Sequence, residues 1–196
     1  MRIGRAIIAL CLAAILSACT ASGPLPDTFD LSAPSDFPDL RGGTRAQLLI
    51  VEPSALKSLD SQNIIVKASP TEIEYLGRAQ WSDALPKVVQ ARLVEAFENT
   101  GRVRAVGKPG DGLVIDYQIV SAIRAFQANI GSGLQEAQVS ISLKLVSDRT
   151  GKVVRTEVFD VTVPLNSTSA GAVVNALNAA FDEAARMIVR WVLKAV

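Results

Sequence analysis

The chain contains no histidine. With histidine go the commonest general base, the commonest metal ligand and the one side chain that titrates unassisted near neutrality. Cysteine is almost missing too. Cys11 and Cys19 both fall at the start of the chain, so everything beyond residue 19 is closed to disulfides, thiolate nucleophiles and cysteine metal sites. Net charge is also lacking: 20 basic side chains balance 19 acidic ones. Nothing supplies the basic excess that nucleic-acid binding requires. Long apolar runs are absent as well. Ile7 to Leu16 makes about 15 Å of helix, half of a hydrocarbon core of about 30 Å, and even Ile3 to Ala18 falls short of the roughly 20 residues of a span.

What is present begins with an export signal. Arg2 and Arg5 precede the apolar run, and Leu16-Ser17-Ala18-Cys19 follows it. An ordinary signal peptide ends in small-x-small, whereas here the small residues lead into cysteine. The four residues resemble the lipobox of bacterial lipoproteins at every position. That resemblance implies a signal peptide over residues 1–18, diacylglycerol on the Cys19 sulfur, cleavage before Cys19 and acylation of the new amine. Two or three acyl chains make attachment effectively permanent, whereas one is marginal.

Residues 19–44 read as the lipidated cysteine and a Pro/Gly-rich tether. Pro24, Pro26, Pro34, Pro38, Gly23, Gly42 and Gly43 leave few apolar groups to bury. Fully extended, such a tether reaches on the order of 75 Å at about 3.1 Å per residue. Within it, Thr28 to Leu31 alternates like a brief strand, so the folded body begins at residue 45 or near residue 28.

The body, 45–196, reads as one domain. Gln47–Val51, Asn63–Ala68 and Glu72–Tyr75 are short strands. From Trp81 to Asn99 the period becomes helical, with Leu85, Val88, Val89, Leu93, Ala96 and Phe97 on one face. Ser82 or Asp83 is the expected N-cap, Pro86 suits the first turn and Gly101 supplies the stop. Arg102–Val106 is a short strand. Leu113–Phe126, Val139–Leu145 and Lys152–Val163 alternate as longer strands, joined at Gly131–Gly133 and at Asp148–Gly151, and predict an antiparallel meander. A second helix, Ala170–Lys194, carries its stripe on Val173, Val174, Leu177, Phe181, Ala184, Ile188, Trp191 and Val192, with Ser167 to Ser169 as N-cap candidates. The fold class predicted is α+β: a mixed, mainly antiparallel sheet with two amphipathic helices packed on one face, a two-layer sandwich.

Chemistry is hard to place on this body. Ile130-Gly131-Ser132-Gly133 has the wrong spacing for a nucleophile elbow, and the histidine base is missing. Asp27/Asp30, Asp36/Asp39 and Glu72/Glu74 read as solvated charge rather than a glycosidase pair. Gly107 to Gly112 lacks the Lys-Ser/Thr ending of a phosphate loop. No catalytic residue, metal or cofactor is expected, and no enzyme. The individual stretch is Tyr75 to Pro86. Tyr75, Arg78 and Trp81 are candidate partner contacts there, aromatics and arginine being common at interface hot spots; the alternative packs Trp81 under the helix as a staple.

Leu59-Asp60-Ser61, Ile64 to Lys67, Glu72-x-Glu74-Tyr75, Arg78 to Pro86 and Arg92 to Phe97 together resemble the ABC-transport auxiliary lipoprotein family, of the PqiC-like intermembrane transport type, and Phe29-Asp30-Leu31 resembles its opening strand. The resemblance covers most of Thr28 to Val196. It implies a non-catalytic envelope component working beside an Mce-domain periplasmic protein and its ABC permease and ATPase, docking that lipid conduit under the outer membrane. Thr20 after the lipidated cysteine fits outer-membrane delivery. A ring of identical copies would suit that role, although no sequence feature specifies one. The apolar helix faces leave open a different reading, a periplasmic lipid carrier or envelope-assembly lipoprotein.

Overall fold

A computed structural model describes residues 25–131, 133 and 135–196. The lipobox, Cys19, Thr20 and Ser132 lie outside the described residues. The elements in chain order are β1 (Asp27–Phe29), β2 (Gln47–Ile50), β3 (Ser54–Ala55), β4 (Asn63–Lys67), β5 (Glu74–Trp81), α1 (Leu85–Thr100), β6 (Ala105–Gly107), β7 (Tyr117–Asn129), β8 (Glu136–Ser147), β9 (Val153–Pro164) and α2 (Ala170–Leu193). They form an α+β fold, one open mixed sheet with two helices on one face.

The long strands behave as their alternation requires. β7, β8 and β9 pair antiparallel along their whole lengths. Ala137, Val139, Ile141, Leu143 and Leu145 of β8 all point into the core. β7 keeps Ile119 and Ile123 on that face, then takes one extra residue at Arg124, so that Phe126 and Ala128 also turn inward. A single-residue bulge of this kind reverses the alternation. The strand covers Tyr117–Asn129 rather than starting at Leu113, and Val114 is exposed.

The other edge of β7 is built differently. Three short strands meet it in succession, all parallel: β2 at Tyr117–Ile119, β3 at Ala122–Ile123 and β4 at Gln127–Asn129. β6 then pairs parallel with β2, and β5 and β1 extend the sheet beyond β4.

Both helices cover the same sheet face. On α1 the predicted stripe is buried, Leu93, Ala96 and Phe97 completely. Its start differs from expectation: the N-cap is Ala84, without a capping side chain, and Asp83 instead accepts the Ala84 N–H at 2.7 Å. The cap is dispensable because Ser61 O accepts the Leu85 N–H at 3.0 Å and Pro86 has none to satisfy. Gly101 ends the helix at φ 59°. On α2, Ser169 is the N-cap, again with no side-chain bond, and the stripe from Val173 to Val192 is buried except for the half-buried Trp191. Trp81, Phe126 and Phe181 stack through the centre, with centroids 5.7 Å apart (edge-on) and 6.2 Å apart (tilted). Among the described residues, no helix is long and apolar enough to cross a membrane.

From Asp27 to Thr44 the chain is a strap laid on the body, so an extended reach does not apply to it. Composition that cannot fold alone folds here on surfaces made elsewhere. Leu31 is 3 % exposed, and Phe37 and Leu40 pack against the core. Asn178 Oδ1 accepts the Ser32 N–H at 2.8 Å, and Asn99 donates to Pro34 O at 3.0 Å.

Candidate interaction surfaces

The segment that stood out in sequence is strand for most of its length. β5 leaves the regular ladder in the middle: Asn63 faces Gln80, but Ile65 already faces Tyr75, so two steps on β4 match five on β5. The surplus bulges out as Leu76 to Ala79. Arg78 turns the corner at φ 57°, a left-handed conformation that costs a non-glycine residue about 1–2 kcal/mol. Leu76 and Ala79 turn inward, while Gly77 and Arg78 stay exposed.

The three contact candidates therefore part company. Tyr75 is 53 % exposed and Arg78 is exposed. Trp81 is 1 % exposed and edge-on to Phe126, so it offers no surface to a partner and serves the core, as the staple reading has it. An aromatic at the end of a strand, two residues before a turn, cannot be assigned to face or core from spacing alone once a bulge precedes it. Cys19 lies outside the described residues.

Beside the bulge is an apolar cleft of about 250 Å³, with Val66, Tyr75, Leu76, Ile130, Thr168 and Val173 among its lining. It sits where β4 and β7 end and α2 begins, with Ile73 46 % exposed nearby. Gly131 closes this end by close approach: a Cβ there would lie 1.9 Å from Ala68 O.

Three of the four aspartates read as solvated charge, Asp30, Asp36 and Asp39, are clasps for the strap. Asp30 meets Arg92 at 2.6 Å, and Arg92 also holds Glu95 at 2.6 Å. Asp36 receives Arg186 through its carboxylate at 2.9 Å and through its backbone carbonyl, while Asp182 anchors the same guanidinium at 2.7 Å and Phe37 lies under it. Asp39 meets Arg190 at 3.5 Å. Burial opposes the Arg92 charge, but hydrogen bonds to Glu95 and Asp30 outweigh it and raise its pKa. The bond to Asp182 raises that of Arg186 against burial, with Asp36 adding to it. Both shifts have structural causes. The signal available in sequence was the run Asp182, Arg186, Arg190 at helical spacing beside the apolar stripe, matched by Asp36 and Asp39 in the strap.

Among the described residues, no group of three His, Cys, Asp or Glu side chains could hold a metal ion. What the surface offers is shape and charge.

Comparison with known proteins places this architecture. The family model for the ABC-type transport auxiliary lipoprotein component matches residues 29–189. A protein of Bradyrhizobium diazoefficiens is 31 % identical over 172 residues, 86 % of this chain, which spans 45 % of that protein's length. A crystal structure from Xanthomonas campestris superposes with a TM-score of 0.79 at 26 % identity, over 86 % of this chain and 96 % of that one. A Chlamydia trachomatis structure shares the fold alone, with a TM-score of 0.53 at 8 % identity over 78 % of this chain and 98 % of the other.

Proposed function

The chain belongs to the ABC-type transport auxiliary lipoprotein family, and on that premise we propose that it is a non-catalytic, lipid-anchored subunit of an Mce/ABC-type intermembrane lipid transport system, docking the periplasmic conduit at the outer membrane. The family membership is the observation that carries this reading. It ties the chain to an ABC transporter and to a membrane-anchored place in a Gram-negative envelope. The lipobox supplies the anchor at Cys19, and Thr20 supports the outer membrane as the destination.

A folded body without histidine, whose shifted pKa values serve ion pairs on a strap, suits a part that binds rather than reacts. The lipid-carrier alternative rested on the apolar faces of the two helices. Those faces are buried against the sheet, which leaves that reading without its motive.

Affinity purification of the full-length chain from envelope membranes is expected to recover an Mce-domain protein together with the permease and ATPase. Recovery of unrelated envelope proteins alone would overturn the reading.

A further inference from the structure

β7 fixes the length of the sheet, its thirteen residues spanning about 40 Å at about 3.3 Å per residue. The anchor enters near one end. β1 begins at the level of Ala79, and the pairings of Asn63 with Gln80 and of Ile65 with Gln127 put that level three to four residues, about 10–13 Å, short of Asn129. β1 then runs away from this end, so Leu25, 88 % exposed, lies toward it.

At the other end, five segments converge. Thr44 N–H donates to Arg102 O at 2.8 Å, Arg104 N–H to Ala46 O at 3.3 Å, and Asp148 N–H to Asp116 O at 2.9 Å. These bonds bring Arg45, Arg102, Arg104, Arg149 and Lys152 together. α2 brings Lys194, since Val196 lines the same cleft as Arg45 and Arg149. That cleft is polar, of about 390 Å³, with Thr44, Asp116, Tyr117 and Ser147 also lining it.

All six cations are exposed. The ion pairs among the described residues use Lys57, Arg92, Arg186 and Arg190, and none of these six. The carboxylates nearby are Glu98, Asp116, Asp148 and Glu157, the last in a cleft it shares with Lys194. Asp116 accepts the Gln47 N–H at 2.8 Å and Asp148 accepts from Gln118 at 2.6 Å, bonds from neutral donors that hold both carboxylates in place without cancelling their charge. Six cations against four carboxylates leave an excess of positive charge at one pole of a chain whose charges otherwise balance.

We propose that this cationic pole, opposite the anchor, is the surface on which an acidic face of the transporter's periplasmic partner docks. The inference rests on the reading of Cys19 as lipidated. Only six residue steps separate Cys19 from Leu25, a reach of about 20 Å when extended. The pole lies some 30–40 Å beyond Leu25 along the strands, on the same rise per residue. It therefore cannot face the membrane that holds the lipid, and an anionic headgroup layer on that side is out of range. An acidic protein surface arriving from the periplasm is in range. The cleft admits one of its carboxylate side chains between Arg45 and Arg149, and the surrounding charge speeds encounter.

The test uses the full-length chain in its own membranes. A photocrosslinking amino acid in place of Arg104 is expected to capture a periplasmic protein, and the same probe in place of Tyr75 is not. The double variant Arg45→Glu with Arg149→Glu is expected to lower recovery of that protein about tenfold, with Lys at both positions restoring it, and wild-type recovery should fall as salt rises. Protein adducts from the Tyr75 probe alone, lipid adducts alone from the Arg104 probe, no adduct at all, or unchanged recovery with the double Glu variant would each overturn the proposal. Capture at Arg104 of an acidic protein without an Mce domain would uphold the cationic pole while refuting the transport system proposed above.

Discussion

At the Asn129 end of the sheet the exposed side chains that stand out are Leu25, Ile73 and Tyr75, whereas at the Tyr117 end they are Arg45, Arg102, Arg104 and Arg149. The first end carries its charges mixed, Lys67 and Arg78 among Glu72, Glu74 and Glu136; the second carries more cations than carboxylates. The first is also where the backbone is forced, at Arg78 and at Gly131. The difference shows that the length of one small sheet is enough to hold an apolar, mixed-charge end apart from a cationic one. Strand direction does the sorting: β2, β6 and β7 all start at the cationic end, so the arginines that precede them in sequence are gathered there.

Four experiments test this division, beginning with the largest effect. Cys19→Ser is expected to shift most of the protein from the membrane to the soluble fraction and to abolish transport, while its melting curve stays that of the wild type; normal transport with this variant would refute the anchor's role. Trp81→Ala should cost about 3–5 kcal/mol in urea unfolding, because it empties the space between Phe126 and the helix layer. A loss below 1 kcal/mol would put Trp81 back among the surface candidates. Arg186→Ala should cost about 1–2 kcal/mol by the same measurement and expose the strap to protease, since the arginine joins Asp36, Phe37 and Asp182. Arg78→Gly should stabilise by about 0.5 kcal/mol, the strain relieved at φ 57° exceeding the entropy that glycine loses. It should also leave partner recovery unchanged; a fall in recovery would move the contact to the anchor end.

Both helices and the meander were legible in sequence because each carries its own period. The stripe from Leu85 to Phe97 and the alternation from Val139 to Leu145 need no knowledge of the rest of the chain. The parallel pairings were not legible. Leu48 meets Tyr117 and Ile65 meets Gln127, and short apolar runs do not encode which long strand they will join. The bulge at Leu76–Ala79 was hidden for a related reason, since its glycine and arginine fit a turn as well as a strand. Of the strap only Thr28 to Leu31 was legible, as a brief strand near which the body begins. The rest was hidden because composition reports what a segment can bury by itself, and Phe37 and Leu40 pack on other elements. The cationic pole was missed because its members are scattered from Arg45 to Lys194 and meet only in the folded chain. Of the three contact candidates, Tyr75 and Arg78 are exposed and Trp81 is buried.

The uneven edges of β7 carry a consequence for the order in which the protein folds. One edge is matched by the very next strand, so β7 and β8 can close as a hairpin as soon as both exist. The other edge waits for β2, β3 and β4, segments made some sixty to seventy residues earlier. Before β7 exists β4 can pair only with β5 and β2 only with β6, and the long-range pairings that join these pieces into one sheet form slowly. In hydrogen exchange, the amides shared by β7 and β8 should be the last to open and those of β3 among the first. Until β7 is made the leading half therefore offers only two small unjoined groups of strands, β1–β5–β4 and β2–β6.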